Sequence, residues 1–260
     1  MKTNPDWQFA SSANIPETKT RLIVRIGVLL AVLNLLLVLA GPLARHYELL
    51  PVMTAFRLFF NSVLAGLVLG VLGLLLIITT WLSQNRYATG GGWLMLLPGL
   101  LPAVIVLAIT GPASLGKPMI HDISTDTSNP QIFVEVKKQR TADQNPVDYK
   151  GAEIADLQMA AYPDIKPIIS SMNTDDALTE ATQVVKDLGW EFINVDYNNG
   201  IVEAYDRTRI FGFTDDIIFR IKAEGSGSRI DVRSASRYGK GDLGKNAERI
   251  RLVIKTFRSS

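Results

Sequence analysis

The sequence contains no cysteine, which removes several kinds of chemistry at once. Disulfide bridges, thiolate metal sites and cysteine nucleophiles are excluded, although the compartment stays undecided. Histidine occurs only at His46 and His121, so no second nearby histidine supports a common zinc geometry. A strong basic excess is missing as well, because the formal net charge is +2 and residues from Gly111 onward are mildly acidic. Nucleic acid is therefore disfavoured as a partner.

Long apolar runs dominate the first part of the chain, after a polar stretch over residues 1–20 that predicts a disordered tail. The runs cover about residues 22–40, 56–80 and 93–109. A helix needs roughly 20 apolar residues to cross the hydrocarbon core, and the first run is too long for a typical signal-peptide core. The sequence therefore predicts a membrane domain, residues 1–110, with three transmembrane helices.

Glycine and proline are placed unevenly within these runs. Gly66 and Gly70 of the second run have the Gly-x-x-x-Gly spacing that lets another helix approach closely, with a span that merely contains glycines as the alternative. Pro98 and Pro102 interrupt the third run. We therefore expect the third helix to be kinked or closely supported by its neighbours.

Positive residues near the spans are slightly asymmetric. With three spans, the amino-terminal side carries Lys2, Lys19, Arg21, Arg25 and Arg86. The other side carries Arg45, Arg57 and Lys117. The positive-inside rule then favours a cytoplasmic amino terminus and an exported carboxy-terminal domain.

Residues 117–260 have the pattern of an α+β domain. Amphipathic helices are predicted from Thr174 to Leu188 and from about Leu243 to Phe257, and a short strand is predicted from Ile132 to Val136. Alternating patterns predict four longer strands: Trp190–Tyr197, Ile201–Arg209, Asp216–Lys222 and Arg229–Ser234. Short turns between them favour hairpins. We expect helices to cover one face of a four-stranded antiparallel sheet.

The polar face of this sheet carries many charges. We expect them to form cross-strand ion pairs on a solvated face: Glu203, Arg207, Arg220, Lys222, Arg229, Asp231 and Arg233. A sharper interpretation is a single network that fixes the following turn or receives a partner. Its members would be Arg220, Arg233, Arg237, Asp216, Asp231 and Asp242.

The turn between the last strand and the last helix concentrates glycine and basic residues. Gly239 and Gly244-Lys245 match a phosphate-loop pattern, but Asn246 stands where that motif needs Ser or Thr, and an antiparallel sheet is the wrong context. A structural turn or an anion site before the helix remains open. The candidate ligand-binding residues are Arg233, Ser234, Ser236, Arg237, Lys240, Asp242, Lys245 and Asn246.

A second polar set has two possible roles. It consists of His121, Asp122, Asp126, Asp215 and Asp216. The first three could bind a metal or act as acid and base, yet bonding of the carboxylates to the local backbone is the simpler alternative. Asp215 and Asp216 are adjacent, so their side chains should point to opposite faces of a strand. No histidine lies close in sequence to Ser234 or Ser236, so a serine nucleophile is unsupported. No catalytic set, metal site or cofactor is therefore predicted.

The run Arg233-Ser-Ala-Ser-Arg-Tyr-Gly-Lys-Gly-Asp-Leu-Gly-Lys-Asn-Ala-Glu-Arg-Ile250 resembles the bacterial family called domain of unknown function 1499. Other matching patches are His121–Asp126, Asn129-Pro130, Tyr162-Pro163, Gly189-Trp190, Glu203-Ala204 and Phe213–Asp216. The resemblance covers roughly residues 119–257, and Gln131 departs from an expected second proline. It implies family membership, and multi-span members also carry apolar segments ahead of this domain. It brings no activity.

These observations favour a multi-pass protein of the bacterial inner membrane with a periplasmic carboxy-terminal domain. We expect that domain to be a binding or scaffolding module, because no nucleophile, base and orienting group occur at usable spacing. Envelope proteins or lipid head groups are the expected partners. The alternative is an envelope hydrolase or an anionic-ligand binding protein that uses the Arg- and Gly-rich turn.

Overall fold

The computed structural model describes residues 17–82 and 84–259. It divides the chain into two compact units, Met1–Ile109 and Thr110–Ser260. Most of the predicted polar tail, including Lys2, lies outside the described residues.

The first unit consists of three long helices, α1 (Glu17–His46), α2 (Val52–Leu82) and α3 (Arg86–Thr110). All three are long and apolar enough to cross a membrane, so the chain fits an integral membrane protein. The third helix begins before the predicted residue 93, because its glycines pack closely instead of breaking it. A Cβ added to Gly92 would lie 2.7 Å from the Gly73 oxygen.

The close approach predicted for the glycines of α2 is present. A Cβ added to Gly99 of α3 would lie 2.5 Å from the Gly66 oxygen and 2.7 Å from the Gly70 nitrogen. Asn34 of α1 is 7% exposed, and its Nδ2 would lie 2.9 Å from a Cβ added at Gly66. Small residues therefore bring the three helices together, as expected for helices that pack without a hydrophobic driving force.

The second unit combines short helices with one sheet. After a 3₁₀ turn, Pro112–Gly116, the elements are β1 (Asp122–Ser124), α4 (Glu135–Gln139), α5 (Ala152–Ala161), β2 (Ile168–Ser170), α6 (Thr174–Asp187), β3 (Glu191–Asp196), β4 (Ile201–Arg207), β5 (Thr214–Glu224), β6 (Gly227–Ser236) and α7 (Lys245–Ser259). The α+β class is therefore confirmed. The predicted strand at Ile132–Val136 is wrong, because α4 begins there instead.

The sheet is antiparallel and has six strands in the order β1-β6-β5-β4-β3, with β2 also paired to β6. The prediction of four strands is wrong. Strands β1 and β2 have three residues each, too few to show an alternating pattern, and both pair with β6, at Arg233–Ala235 and Ser228–Ile230 respectively. The long strand β6 is therefore covered along its outer edge by two separate pieces of chain.

One face of the sheet, here called the helix face, packs against α6 and α7. Val202, Phe219 and Val232 share one buried cluster with Leu178 of α6 and Ile250 of α7. Each of these side chains is at most 3% exposed. Burial of this apolar surface, at about 25 cal/mol per Å², supplies the main stabilisation of the unit.

The opposite face, here called the loop face, is covered by residues 126–150, the cover segment. Phe133 and Val136 of this segment pack against Ile218 and Ala235 of the sheet. The expected solvated face is therefore wrong at its centre, because the cover segment excludes water there. Of the seven charged residues expected on a solvated face, Glu203, Asp231 and Arg233 are buried, whereas Arg207 and Lys222 stay exposed.

Candidate functional site

The turn that joins β6 to α7, residues 237–244, is organised by one carboxylate. Asp242 Oδ1 accepts a hydrogen bond from Gly244 N (2.8 Å), and Oδ2 accepts one from Asn246 N (2.7 Å). Burial raises the pKa of Asp242, and these two backbone donors oppose the rise. The chain's own carboxylate thus occupies the positive end of α7, where an external anion would bind.

The basic residues of the turn do not gather around Asp242. Lys240 is exposed, and the Lys245 ammonium lies 2.8 Å from Glu248 in an exposed pair. Among the described residues, Asp242 has no arginine partner, because Arg233 and Arg237 pair with carboxylates of the sheet and its edge. The single network expected from the sequence is therefore divided into separate groups, centred on Asp216, on Asp231 and on Arg233, and Asp242 belongs to none of them.

Polar residues on the helix face form a buried cluster under α7. Ser234 Oγ donates to Asn246 Oδ1 (2.6 Å), and Asn246 Nδ2 donates to Ser236 Oγ (2.9 Å) and to the His121 carbonyl (3.0 Å). Asn246 is fully buried. The residue that departs from the phosphate-loop pattern therefore joins β6, α7 and the chain before β1 inside the domain.

Arg249 of α7 completes this cluster and was not identified from the sequence. Its guanidinium donates to Asp215 (2.9 Å), Asp206 (2.8 Å) and Asn246 Oδ1 (2.8 Å). Burial lowers the pKa of Arg249, but the two carboxylates outweigh burial and the pKa is raised. Its position three residues after Asn246, on the same helix face, is the signal that could have indicated it.

Arg233 lies on the loop face and is satisfied by residues far away in sequence. Asp122 accepts from Nε (2.9 Å) and Nη2 (2.7 Å), and the carbonyls of Gln131 and Val147 accept at 2.6 and 2.7 Å. The rings of Phe133 and Tyr149 lie 4.8 and 5.4 Å from the guanidinium carbon. Arg233 therefore ties β1 and the cover segment to β6.

Asp216 is the second anchor of the loop face. Its fully buried carboxylate lies 2.8 Å from Arg140 Nη2 and 2.7 Å from Arg237 Nη2. Burial lowers the pKa of Arg140, and the charge of Asp216 opposes that change. Asp215 and Asp216 thus point to opposite faces, as predicted, and each has arginine partners.

Asp126 has a structural role as well. It accepts from Arg220 (3.1 Å) and Arg229 (3.0 Å), while its Oδ1 accepts from Asn129 N (2.9 Å). The same two arginines pair with Asp231. Asp126 therefore holds the start of the cover segment on the sheet, and its local bond to Asn129 agrees with the backbone role considered from the sequence.

His121 remains chemically separate from these pairs. It is 7% exposed, and its Nδ1 has no hydrogen-bond partner among the described residues. Burial lowers the pKa of His121, whereas the charge of Asp122 raises it, so the imidazole is neutral at pH 7. The described residues contain no group of three or more His, Cys, Asp or Glu side chains that could hold a metal.

An open cleft of about 640 Å³ lies beside the cover segment and α5. Exposed Ile132 and Met159 supply apolar walls, while Arg233 and Tyr149 line its inner part. The Tyr149 hydroxyl is buried without a partner among the described residues. Burial raises the pKa of Tyr149 to about 12, so the phenol is neutral and able to donate a hydrogen bond.

The sequence prediction and this cleft overlap at Arg233. The other candidate ligand residues lie elsewhere: three are buried on the helix face (Ser234, Ser236 and Asn246) and four lie in or beside the turn (Arg237, Lys240, Asp242 and Lys245). The sequence did not identify the aromatic residues of the cleft, Phe133 and Tyr149, or the residues of α5 that line it. The signal available was an aromatic residue, Tyr149, within an otherwise polar loop.

Three apolar helices followed by an α+β domain with an open cleft define a membrane protein with one folded domain outside its spans. The chain belongs to the family described as protein of unknown function (DUF1499), whose model matches residues 122–257, just over half of the chain. Among curated proteins, none matches this sequence. Family membership, expected from the Arg233–Ile250 run, is thereby confirmed.

Proposed function

We propose that residues 117–260 form a membrane-tethered binding or scaffolding module and that residues 1–110 anchor it in a bacterial inner membrane. The main support is that the candidate polar residues are already paired within the domain, whereas the cleft is open. Asp122, Asp126, Asp215 and Asp216 all bind arginines of their own chain, whereas the cleft is open. Groups that are already paired inside a domain hold its fold and leave binding to the open surface.

The charges of the cleft favour a ligand that is apolar with cationic or hydrogen-bond-donating groups. Asp148 and Asp156 line it and are exposed, and neither has a charged partner among the described residues. The charge of Arg233 is balanced by Asp122. A segment of an envelope protein fits this chemistry better than an anionic head group, which would face two uncompensated carboxylates.

The proposed orientation places this module on the periplasmic side. It rests on the excess of Lys and Arg at the amino-terminal side of the spans. Arg86 is the first residue of α3, and Arg21 and Arg25 lie in the second and third turns of α1. All three are therefore near the ends of their spans, where the positive-inside rule counts charges.

Filling the cleft is expected to abolish partner recovery without unfolding the domain. Ala152 lines the cleft and is exposed, so Ala152→Trp places an indole there without entering the core. The matched control is Ala160→Trp on the same helix, which is exposed but outside the cleft. The full-length chain would be purified in mild detergent with its partners quantified by mass spectrometry.

Ala152→Trp should reduce the recovery of a stoichiometric envelope protein at least about tenfold, because a loss of 1.4 kcal/mol of binding free energy suffices for that change. Ala160→Trp should leave the recovery unchanged. Equal recovery with both variants would remove the cleft from the proposal. Hydrolase activity that disappears on replacing His121 or Asp126 would contradict the binding module itself and support the enzyme alternative.

A further inference from the structure

A groove of about 640 Å³ runs between α1 and α3 within the membrane unit. Its walls include Val28 and Val32 of α1 and Leu94 of α3, and its basic residues are Arg25 and Arg86. The two helices begin on the same side, since α2 returns the chain between them. Both arginines therefore lie toward the same end of the groove.

The two arginines carry charge that nothing described in the chain balances. Both are exposed, and neither guanidinium has an ion pair or side-chain hydrogen bond among the described residues. The groove lining includes no Asp or Glu. Arginine forms paired hydrogen bonds with phosphate oxygens, so this end of the groove is complementary to a phosphate monoanion.

The apolar part of the groove is long enough to contact part of an acyl chain. Val32 lies seven positions after Arg25, and Leu94 lies eight positions after Arg86, which corresponds to about 10–12 Å along each helix. That distance accommodates the part of an acyl chain that lies nearest to its head group. A free phosphate ion would contact the arginines and leave these apolar walls unused.

Glycine creates the space for such a chain. A Cβ added to Gly91 would lie 2.1 Å from Val24 Cγ1, so the two helices are in contact there. A Cβ added to Gly90 would meet no protein atom within 4 Å, although Gly90 lines the same groove. The helices therefore touch at one glycine and leave an open channel at its neighbour.

We propose that this groove binds one anionic phospholipid, with the phosphate on Arg25 and Arg86 and an acyl chain along Val28, Val32 and Leu94. Basic pockets between transmembrane helices recognise anionic head groups by this combination of charge and apolar length. The site is independent of the cleft in the second unit. A lipid there would neutralise the arginines and fill the channel at Gly90.

Native mass spectrometry of the full-length chain in detergent, titrated with phosphatidylglycerol or phosphatidylcholine, tests the site. The double variant Arg25→Gln with Arg86→Gln should weaken phosphatidylglycerol binding about 30-fold. Each basic residue near the membrane surface contributes about 1 kcal/mol, and the loss of about 2 kcal/mol corresponds to roughly 30-fold in affinity. Arg57→Gln, an exposed arginine on α2, is the charge control and should leave binding unchanged.

Gly90→Leu separates the apolar groove from the charge. It keeps both arginines, favours the helix and meets no protein atom at its Cβ, so it should fold and still lose phosphatidylglycerol. Equal binding of phosphatidylglycerol and phosphatidylcholine would overturn the proposal. So would displacement of the lipid by inorganic phosphate, an effect of Arg57→Gln as large as that of the double variant, or retained binding in Gly90→Leu.

Discussion

Replacing Asp216 with asparagine is expected to destabilise the second unit by about 3–5 kcal/mol, because it removes the charge shared by two arginines. Arg140 and Arg237 have side-chain exposures of only 5% and 12%, so water cannot replace the lost carboxylate. Burial already lowers the pKa of Arg140, and the loss of Asp216 removes the largest opposing influence. The effect should concentrate on β5 and β6.

Hydrogen exchange measured by mass spectrometry on the full-length chain follows this effect strand by strand. Amides of residues 214–236 should exchange roughly 150- to 5000-fold faster, because 3–5 kcal/mol is lost from the opening equilibrium. The matched control is Asp164→Asn, which removes an equally short pair with Arg251 that is 38% and 52% exposed. An exposed pair contributes about 0–1 kcal/mol, so similar exchange in the two variants would contradict the architectural role of Asp216.

Replacing Glu203 with glutamine is expected to loosen the cover segment. The fully buried carboxylate accepts hydrogen bonds from Val134 N and Glu135 N, both at 2.8 Å, and from Val136 N at 3.5 Å. Glutamine has the same size but turns an NH₂ group toward one of these donors. An unsatisfied buried donor costs about 2 kcal/mol, which is roughly 30-fold in the opening equilibrium.

Limited trypsin digestion measures this opening, because Lys137 and Lys138 lie in α4 directly after the capped residues. Cleavage there should become roughly 30-fold faster in Glu203→Gln, since protection depends on α4 staying docked. Glu224→Gln, at an exposed end of β5, is the control. Unchanged cleavage in Glu203→Gln would show that the carboxylate does not hold α4 on the sheet.

The long elements of the second unit could be predicted because each carries its own signal. Strands β3 to β6 and helices α6 and α7 show the alternating or helical patterns of elements with one buried face, and short turns fix the hairpins. Strands β1 and β2 could not be predicted. Three residues give no period, and their pairing with β6 is decided by chain more than 50 residues away.

The partners of the charged residues were harder to predict than their positions. Arg233 was expected to join Asp231, Asp242 and other nearby charges, but it pairs with Asp122, which is 111 residues earlier in the chain. Arg233 can pair with Asp122 only because β1 lies against β6, and the sequence did not indicate that pairing of strands. Charges on a strand therefore predicted a polar face, but not whether water or another segment covers it.

The residues that line the cleft could not be predicted from the sequence. Its walls come from the cover segment and α5, whose residues show no common period and form a shared surface only in the folded domain, together with Arg233. By contrast, the glycine contacts of the membrane unit could be predicted from spacing alone. Gly66 and Gly70 lie one helical turn apart, and that local geometry is enough to expose the backbone to a neighbour.

The proposed function places a partner in the cleft of an exported domain, and the absence of cysteine permits a direct test. Ala152→Cys and Ala160→Cys would each be treated with a small membrane-impermeant maleimide, both in intact cells and after purification. We expect Ala160→Cys to react equally in both settings, and Ala152→Cys to react at least about tenfold more slowly in cells, where the partner covers it. Labelling of Ala160→Cys only after lysis would contradict export, and equal labelling of Ala152→Cys in both settings would contradict an occupied cleft.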